Sequence, residues 1–372
     1  MKALFLTLLL VVWACEAGPP AFDAPDQGRE PGVPDTADLT ELPEIPRAPE
    51  VEPADSSADL VGEDRVPEEA VGEEEERDAP ARGEGGDPAS AEGEEDGVEP
   101  SRLTFERPDH VRGLYLNAWA SGSTRRVNAL LEVARETEIN TFVIDIKDAS
   151  GYVSHRTDVP LASEIGATGE IRIRDLPGLL EKLHAAGVYP IARIVIVKDP
   201  ILAAARPEMA VQDTAGGVWM DSKEIVWLNP FDTAVWGYHM ALAREVIGMG
   251  FPEIQWDYVR FPDAPRSDLE RAVYPGAEGR EKPEAIRAFL DHSRKELSEL
   301  GVTVTADVFG VTTSATRDVG IGQVWERFID VVDVALPMVY PSHYWKGSFG
   351  IDEPNAFPYE VVKRALEDAL ER

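Results

Sequence analysis

From residue 111 onward, the chain alternates between short apolar runs and longer segments in which apolar residues recur every three or four positions. Short apolar runs are typical of buried strands, and the three-to-four spacing is typical of amphipathic helices. The pattern predicts strands at residues 111–117, 140–147, 189–197, 302–309 and 332–340, and another that starts at residue 253 and ends in Trp-Asp-Tyr. It predicts helices at residues 124–137, 176–186, 233–249, 283–300, 324–329 and 358–371.

This alternation indicates an α/β protein with a parallel sheet, because each helical crossover returns the next strand in the same direction. Polar residues gather at the carboxyl ends of the strands, which favours a (β/α) TIM-type barrel. A closed barrel of this type has eight strands, so six predicted units leave two interpretations, a barrel truncated after the sixth βα unit or an open sheet. We expect truncation, because an open sheet would expose two unpaired edges. A small hairpin is expected on the rim at residues 218–228.

The first 15 residues have the features of a secretory signal peptide, with Lys2 followed by an apolar run at residues 3–13. Ala14-Cys15 resembles the site at which bacterial lipoproteins are cleaved and lipidated on cysteine. We therefore expect export across the cytoplasmic membrane and an N-terminal lipid anchor on Cys15 in a bacterial cell envelope. Ordinary cleavage after Ala17 is the alternative. Cys15 is the single cysteine of the chain, so disulfides, zinc-thiolate sites and cysteine nucleophiles are excluded from the mature domain.

The acidic charge of the protein is concentrated before the predicted barrel. Residues 16–100 contain 28 Asp and Glu against five Arg and no Lys, and Phe22 is their only aromatic residue. Such a composition buries too little apolar surface to offset the entropy of ordering. We predict a disordered acidic linker at residues 16–105, serving as a stalk or an inert spacer. The predicted barrel, residues 106–372, is only mildly acidic and has no basic cluster, which excludes nucleic acid as a partner.

Side chains that alternate along the predicted strands place charged residues on one face. Asp145 and Lys147 end the second strand, Arg193 lies in the third, Asp257 ends the fourth, and Asp307 lies near the end of the fifth. If these are the inward faces, the five side chains converge at the mouth of the barrel. Paired carboxylates across a cleft are the chemistry of glycoside hydrolysis, so Asp257 and Asp307 are the predicted catalytic residues. The competing interpretation of Asp145 is a structural salt bridge.

Aromatic and polar residues follow the same strand ends, where sugar rings could stack on them. The predicted substrate-binding residues are Asp145, Lys147, Arg193, Tyr258, Arg260, Tyr340, His343 and Trp345. Loop packing is the alternative for the aromatic members. Trp256 is expected to face the helix layer. Asp148 and Asp263 are exposed alternatives for the proton donor.

Several motifs together resemble one bacterial family of glycosyl hydrolases, often secreted or lipid-anchored, related in barrel architecture to the α-amylase and α-galactosidase groups. The motifs are Ile-Ala-Arg-Ile at 191–194, Val-Lys-Asp-Pro at 197–200, Leu-Asn-Pro at 228–230, Asp-Tyr-Val-Arg-Phe-Pro at 257–262, Ala-Asp-Val-Phe-Gly at 306–310 and Pro-Met-Val-Tyr-Pro at 337–341. The resemblance implies that Asp257 is the nucleophile of the fourth strand and that the acid lies at or near Asp307. It also implies two further strands beyond Arg372.

The sequence therefore predicts a glycoside hydrolase that acts on an extracellular or cell-envelope polysaccharide without a cofactor. A barrel that binds carbohydrate without catalysis, as an envelope scaffold, is the first alternative. A metal-dependent hydrolase or deacetylase using Asp257, Asp307 and His343 is the second. The sequence lacks a His-x-x-His cluster, which argues against it, and no metal site is predicted.

Overall fold

A computed structural model describes residues 103–372, so the predicted signal peptide, Cys15 and nearly all of the acidic linker lie outside the described residues. The strands are β1 Gly113–Leu116, β2 Thr141–Lys147, β3 Tyr189–Val195, β4 Gln212–Asp213, β5 Glu253–Asp257, β6 Ala272–Val273, β7 Thr303–Phe309 and β8 Val334–Met338. The helices are α1 Ala118–Gly122, α2 Thr124–Glu136, α3 Pro160–Glu164, α4 Leu176–Ala185, α5 Pro200–Ala205, α6 Thr233–Met249, α7 Arg266–Leu269, α8 Lys282–Ser298, α9 Trp325–Phe328 and α10 Pro358–Glu371. None of these helices has the length and apolar character needed to cross a bilayer.

Six strands form one parallel sheet in the order β1-β2-β3-β5-β7-β8. These are the six strands predicted from the sequence, and with their helices they make an α/β half-barrel. The edges of the half-barrel are β1 and β8, so closure into a full TIM-type barrel stays a prediction. The excursion between β3 and β5 contains antiparallel bridges, including Met220 with Val226 as the predicted hairpin requires. It also supplies β4, which pairs with β6 in a separate antiparallel ribbon.

Capping residues set where the crossover helices begin and end. Asp175 and Asp232 accept hydrogen bonds from the first-turn backbone amides of α4 and α6, which satisfies donors that a helix leaves unpaired. Glu284 accepts a hydrogen bond from the backbone amide of Glu281 and completes a capping box on α8. Gly250 ends α6 with φ 120, a conformation that glycine adopts without strain.

The main hydrophobic core lies between the outer face of the sheet and the helices. Trp256 belongs to it, as predicted: its indole nitrogen donates to Ser293 Oγ at 2.7 Å on α8, and its ring lies edge-on to Phe289. These contacts confirm that Trp256 faces the helix layer. Because side chains alternate along a strand, the neighbouring residues Gln255 and Asp257 face the opposite, inner side of the sheet.

At the amino ends of the strands, the inner face is closed by apolar residues and one buried carboxylate. Val143, Tyr189 and Ile191 form a small apolar layer that Phe105 covers. Beside it, Glu253 is almost fully buried and pairs with Arg107 at 2.9 Å. The other charged side chains of the inner face lie beyond this layer, at the carboxyl ends of the strands.

Candidate active site

Three carboxylates and one guanidinium meet at the carboxyl ends of the strands, on the inner face of the half-barrel. Asp145 of β2 lies beside Arg193 of β3 in the sheet register, and Asp257 and Asp307 project from β5 and β7. Asp145, Asp257 and Asp307 are each no more than 6% exposed. Burying three carboxylates together requires a compensating cation.

Arg193 is that cation. Its guanidinium donates to Asp145 Oδ1 at 2.5 Å and, through Nε, to Asp257 Oδ2 at 3.0 Å. A second, shorter contact joins its terminal nitrogen to the same Asp257 oxygen. Asp307 Oδ2 lies 4.0 Å from Arg193 Nε. Arg193 therefore holds the carboxylates of three strands around one planar group and balances part of their charge.

The surroundings of Asp307 disfavour its ionised form. Burial, followed by repulsion from the Asp257 carboxylate, raises the pKa of Asp307 well above its usual range, although Arg193 opposes the shift. The Gln255 amide donates to both Asp307 oxygens, at 2.9 and 2.7 Å. A carboxyl group whose pKa is raised, next to a carboxylate that is paired with Arg193, is the division of roles that an acid and a nucleophile need.

Asp145 accepts hydrogen bonds from Arg193 and from the Tyr115 hydroxyl. Burial raises the pKa of Asp145, and the Arg193 charge and the hydrogen bond from the Tyr115 hydroxyl oppose that rise. Burial and the adjacent Asp145 also raise the pKa of Tyr115, so its hydroxyl stays a donor. The Arg193 guanidinium carbon lies 5.2 Å from the Tyr115 ring centroid. Asp145 and Tyr115 thus fix the side of Arg193 that faces away from Asp257.

Lys147 does not join this cluster, contrary to the expectation that it shares a face with Asp145. The register of β2 against β3 shifts between these two residues, which turns Lys147 to the other side of the sheet. Its ammonium group is fully buried, lies 2.9 Å from Asp199 Oδ2 and donates to the Val195 carbonyl at 2.9 Å. Lys147 has a structural ion pair rather than a place at the inner face.

Tyr258 and Arg260 lie directly beyond Asp257, where the predicted motif places them. Tyr258 has φ 52, a left-handed conformation that is costly for a bulky residue and is often found at functional sites. Asp257 Oδ1 accepts a 2.5 Å hydrogen bond from the Tyr258 backbone amide. The Arg260 guanidinium carbon lies 4.9 Å from the Tyr258 ring centroid. The turn after β5 therefore orients the Asp257 carboxylate and places two polar side chains near it.

Tyr340, His343 and Trp345 lie in the segment after β8. The rings of Tyr340 and His343 are 5.3 Å apart, and His343 and Trp345 are exposed. They remain predicted substrate contacts on the rim. Asp148 and Asp263, the alternative proton donors, are half-buried rather than exposed. Asp148 pairs with Arg172, which leaves it poorly suited to donate a proton.

The arrangement argues against a metal centre built from Asp257, Asp307 and His343. Within residues 103–372, no group of three or more His, Cys, Asp or Glu side chains is placed to hold a metal ion. The Arg193 guanidinium lies within 4.0 Å of both Asp257 and Asp307, and its charge would repel a cation bound by those carboxylates.

Two residues of the site carried no assigned role from the sequence. Tyr115 lies on β1 opposite Val143 in the register, one alternation below Asp145. Gln255 shares the inner face of β5 with Asp257, and its partner Asp307 could be identified only once β5 was known to pair with β7. The periodicity of the strands was the available signal for both residues.

The parallel half-barrel and its carboxylates at the strand ends define a glycoside hydrolase-like α/β domain. The chain belongs to the family described as "putative glycosyl hydrolase domain", whose model matches residues 113–372. No curated protein sequence matches the chain.

Solved structures similar to this chain include a hypothetical protein from Ruminiclostridium thermocellum ATCC 27405, with 37% identity, 52% of this chain and 97% of that chain covered, and a TM-score of 0.48. The Flavobacterium johnsoniae chitobiase is 15% identical, with 64% of this chain and 40% of that chain covered and a TM-score of 0.41. The α-galactosidase from Thermus thermophilus is 19% identical, with 55% and 39% covered and a TM-score of 0.33. The chain spans less than half the length of these two enzymes.

Proposed function

We propose that the domain is a glycoside hydrolase that acts on an extracellular or cell-envelope polysaccharide. The observation that carries the proposal is the pair Asp257 and Asp307, on adjacent parallel strands, with Arg193 shared between them. The family membership supports the same class of reaction. Asp257 is the proposed nucleophile and Asp307 the proposed acid.

The reaction begins with a proton transfer from the Asp307 carboxyl group to the glycosidic oxygen. As the bond from the anomeric carbon to that oxygen breaks, Asp257 Oδ attacks the carbon and forms a glycosyl ester, and the alcohol leaves with the proton. Asp307, now ionised, takes a proton from water, whose oxygen displaces Asp257. Arg193 donates hydrogen bonds to Asp257 Oδ2 and so orients that carboxylate before the attack and after its release.

The shared nitrogen limits how far apart the two carboxyl groups are. The Oδ2 atoms of Asp257 and Asp307 lie 3.0 and 4.0 Å from Arg193 Nε, so their separation is at most about 7 Å, against about 5–5.5 Å in retaining and 6.5–9.5 Å in inverting enzymes. This upper bound excludes most of the inverting range, so we expect retention of configuration. Proton NMR of the first-formed anomer tests this.

Substitution of each carboxylate separates the two roles. Asp257→Asn should abolish the release of reducing sugar from a polysaccharide panel. Asp307→Asn should do the same for polysaccharides but retain activity on aryl glycosides whose leaving group needs no protonation. Asp291→Asn, an exposed helix carboxylate paired with Lys295, is the matched control. Full activity of Asp257→Asn would refute the assignment, and glycan binding by the wild type without turnover would favour the non-catalytic alternative.

We also infer, from the sequence features around Cys15 alone, that the protein is exported and anchored by a lipid. Metabolic labelling with a fatty-acid probe should mark the wild type and not Cys15→Ser. Unchanged labelling, or a mature protein beginning after Ala17, would contradict this.

A further inference from the structure

Arg260 lies among three aromatic rings at the mouth of the site. Its guanidinium carbon is 4.8 Å from the Trp227 ring centroid, 4.9 Å from that of Tyr258 and 4.8 Å from that of Phe309. Aromatic faces attract a cation and shield it from water. We call Arg260 with these three rings the Arg260 cage.

The cage lies next to the proposed catalytic carboxylates. Tyr258 directly follows Asp257, and its backbone amide donates to that carboxylate. Phe309 is two residues after Asp307 on β7, so its side chain lies on the same inner face, one step closer to the carboxyl end of the strand. Arg260, Tyr258 and Phe309 are each half-buried, which leaves part of their surface accessible. A molecule bound over Asp257 and Asp307 can therefore reach the guanidinium.

Arg260 differs from Arg193 in lacking an ion pair. No carboxylate oxygen within residues 103–372 lies within 4.0 Å of its guanidinium, whereas Arg193 pairs with three aspartates. Arg260 donates to the Phe261 carbonyl at 3.0 Å and interacts with the Tyr258 hydroxyl. Asp263 and Asp257 attract it from farther away. An arginine has five N–H donors, so these two partners leave N–H donors of Arg260 that a ligand could use.

A second cation lies on the same aromatic residue. Lys198 Nζ is 5.4 Å from the Tyr258 ring centroid, is half-exposed and forms no ion pair with the part of the chain that the structure describes. Arg193 is paired with aspartates of the site. Lys198 and Arg260 therefore add positive charge that these aspartates do not neutralise. Such charge beside a glycan site is costly to desolvate for a neutral sugar and is compensated when the sugar is anionic.

We propose that the Arg260 cage binds the acidic group of a sugar, a carboxylate or a sulfate ester, so that the substrate is an acidic rather than a neutral polysaccharide. This inference rests on the proposed glycoside hydrolase function. The planar guanidinium fork matches the two oxygens of such a group, and the surrounding rings strengthen the contact by excluding water.

Calorimetry on the full chain carrying Asp257→Asn measures binding without turnover. The probes are oligoglucuronides, oligogalacturonides and oligomannuronates, each paired with its carboxyl-reduced counterpart, and sulfated oligosaccharides paired with their desulfated forms. We expect one acidic probe to bind roughly ten- to a hundred-fold more tightly than its neutral partner, the range of one or more charge-assisted hydrogen bonds. The pair that shows the preference identifies the group as carboxylate or sulfate.

Adding Arg260→Gln should remove that preference, because it lowers the affinity for the acidic probe far more than the affinity for its neutral partner. Arg266→Gln, an arginine 89% exposed on α7, should keep it. If Arg260→Gln does not fold, as judged by circular dichroism, Arg260→Lys and Lys198→Gln each should reduce the preference. The inference is overturned if no acidic probe exceeds its neutral partner, or if the preference survives in these variants.

Wild-type turnover separates this inference from the proposed function. Hydrolysis of neutral glycans without acidic preference would retain the hydrolase and reject the anionic subsite. Tight binding of an acidic probe that the wild type never cleaves would retain the subsite and reject the hydrolase.

Discussion

Replacing Arg193 by methionine tests the electrostatic organisation of the site most directly. The variant keeps much of the side-chain volume but removes the donors to Asp145 Oδ1 and Asp257 Oδ2. Hydrogen bonds to charged groups contribute about 1.5–3 kcal/mol each, and breaking a buried ion pair by removing one partner costs about 3–5 kcal/mol. We expect Arg193→Met to lower the free energy of unfolding by about 3–5 kcal/mol near neutral pH.

The loss should depend on pH, because the aspartates can protonate. Burial already raises the folded-state pKa of Asp145 and Asp307, and the Arg193 charge opposes that rise. Without Arg193, the folded-state pKa of these two groups rises further above the unfolded value. A raised folded-state pKa gives stability that is present at low pH and lost as pH rises through it. The difference between wild type and variant should therefore widen from pH 5 to pH 8, with a slope of up to about 1.4 kcal/mol per pH unit for each additional proton.

Urea denaturation followed by tryptophan fluorescence, at pH 5 and pH 8, measures both effects. Arg266→Met is the control, since that arginine is exposed and within residues 103–372 pairs only with Glu270. It should change stability by less than about 0.5 kcal/mol. Arg193→Lys keeps the positive charge but loses the planar guanidinium. Its loss in free energy of unfolding should lie between those of Arg193→Met and Arg266→Met. A loss below about 1 kcal/mol that is equal at both pH values would refute the role assigned to Arg193.

Three further predictions concern the scaffold. Lys147→Met leaves Asp199 buried without its cation, so the melting temperature should fall by the equivalent of about 3–5 kcal/mol. Adding Asp199→Asn should recover part of the lost stability, and no recovery would contradict the pairing. Gly310→Ala places a methyl group 2.7 Å from the Met338 carbonyl oxygen and should lower the free energy of unfolding in urea by about 1–3 kcal/mol. Gly237→Ala, on α6 with open space around it, should show no such loss. Burial lowers the pKa of His239 well below its usual value; stability should therefore fall as pH drops below about 6.5, by up to about 1.4 kcal/mol per pH unit, and titration of His239→Leu should lack that component.

Much of the site could be predicted because parallel strands impose simple rules. Alternation placed Asp145, Arg193, Asp257 and Asp307 on inner faces, and the carboxyl ends of parallel strands meet at one edge of the sheet. The same rule placed Trp256 in the helix layer, where it donates to Ser293. These residues needed only the strand positions, which apolar runs mark clearly.

Lys147 was misplaced because alternation fails where the register shifts. The irregularity after Asp145 has no signature in Thr-Phe-Val-Ile-Asp-Ile-Lys, since it arises from pairing with β3. The Arg260 cage also could not be predicted from the sequence. Trp227 lies 33 residues before Arg260 in the excursion after β3, and only tertiary packing brings its ring to the guanidinium.

Phe105 and Arg107 pack at the amino ends of the strands, where they help to close the inner face. Arg107 pairs with Glu253 at the start of β5, and Leu103 packs beside Gly250, just before the same strand. The described chain therefore enters the fold at the amino ends of the strands, whereas Asp257 and Asp307 open at the carboxyl ends. A large polymer that reaches the mouth therefore meets the carboxylates at the end of the sheet opposite to Leu103.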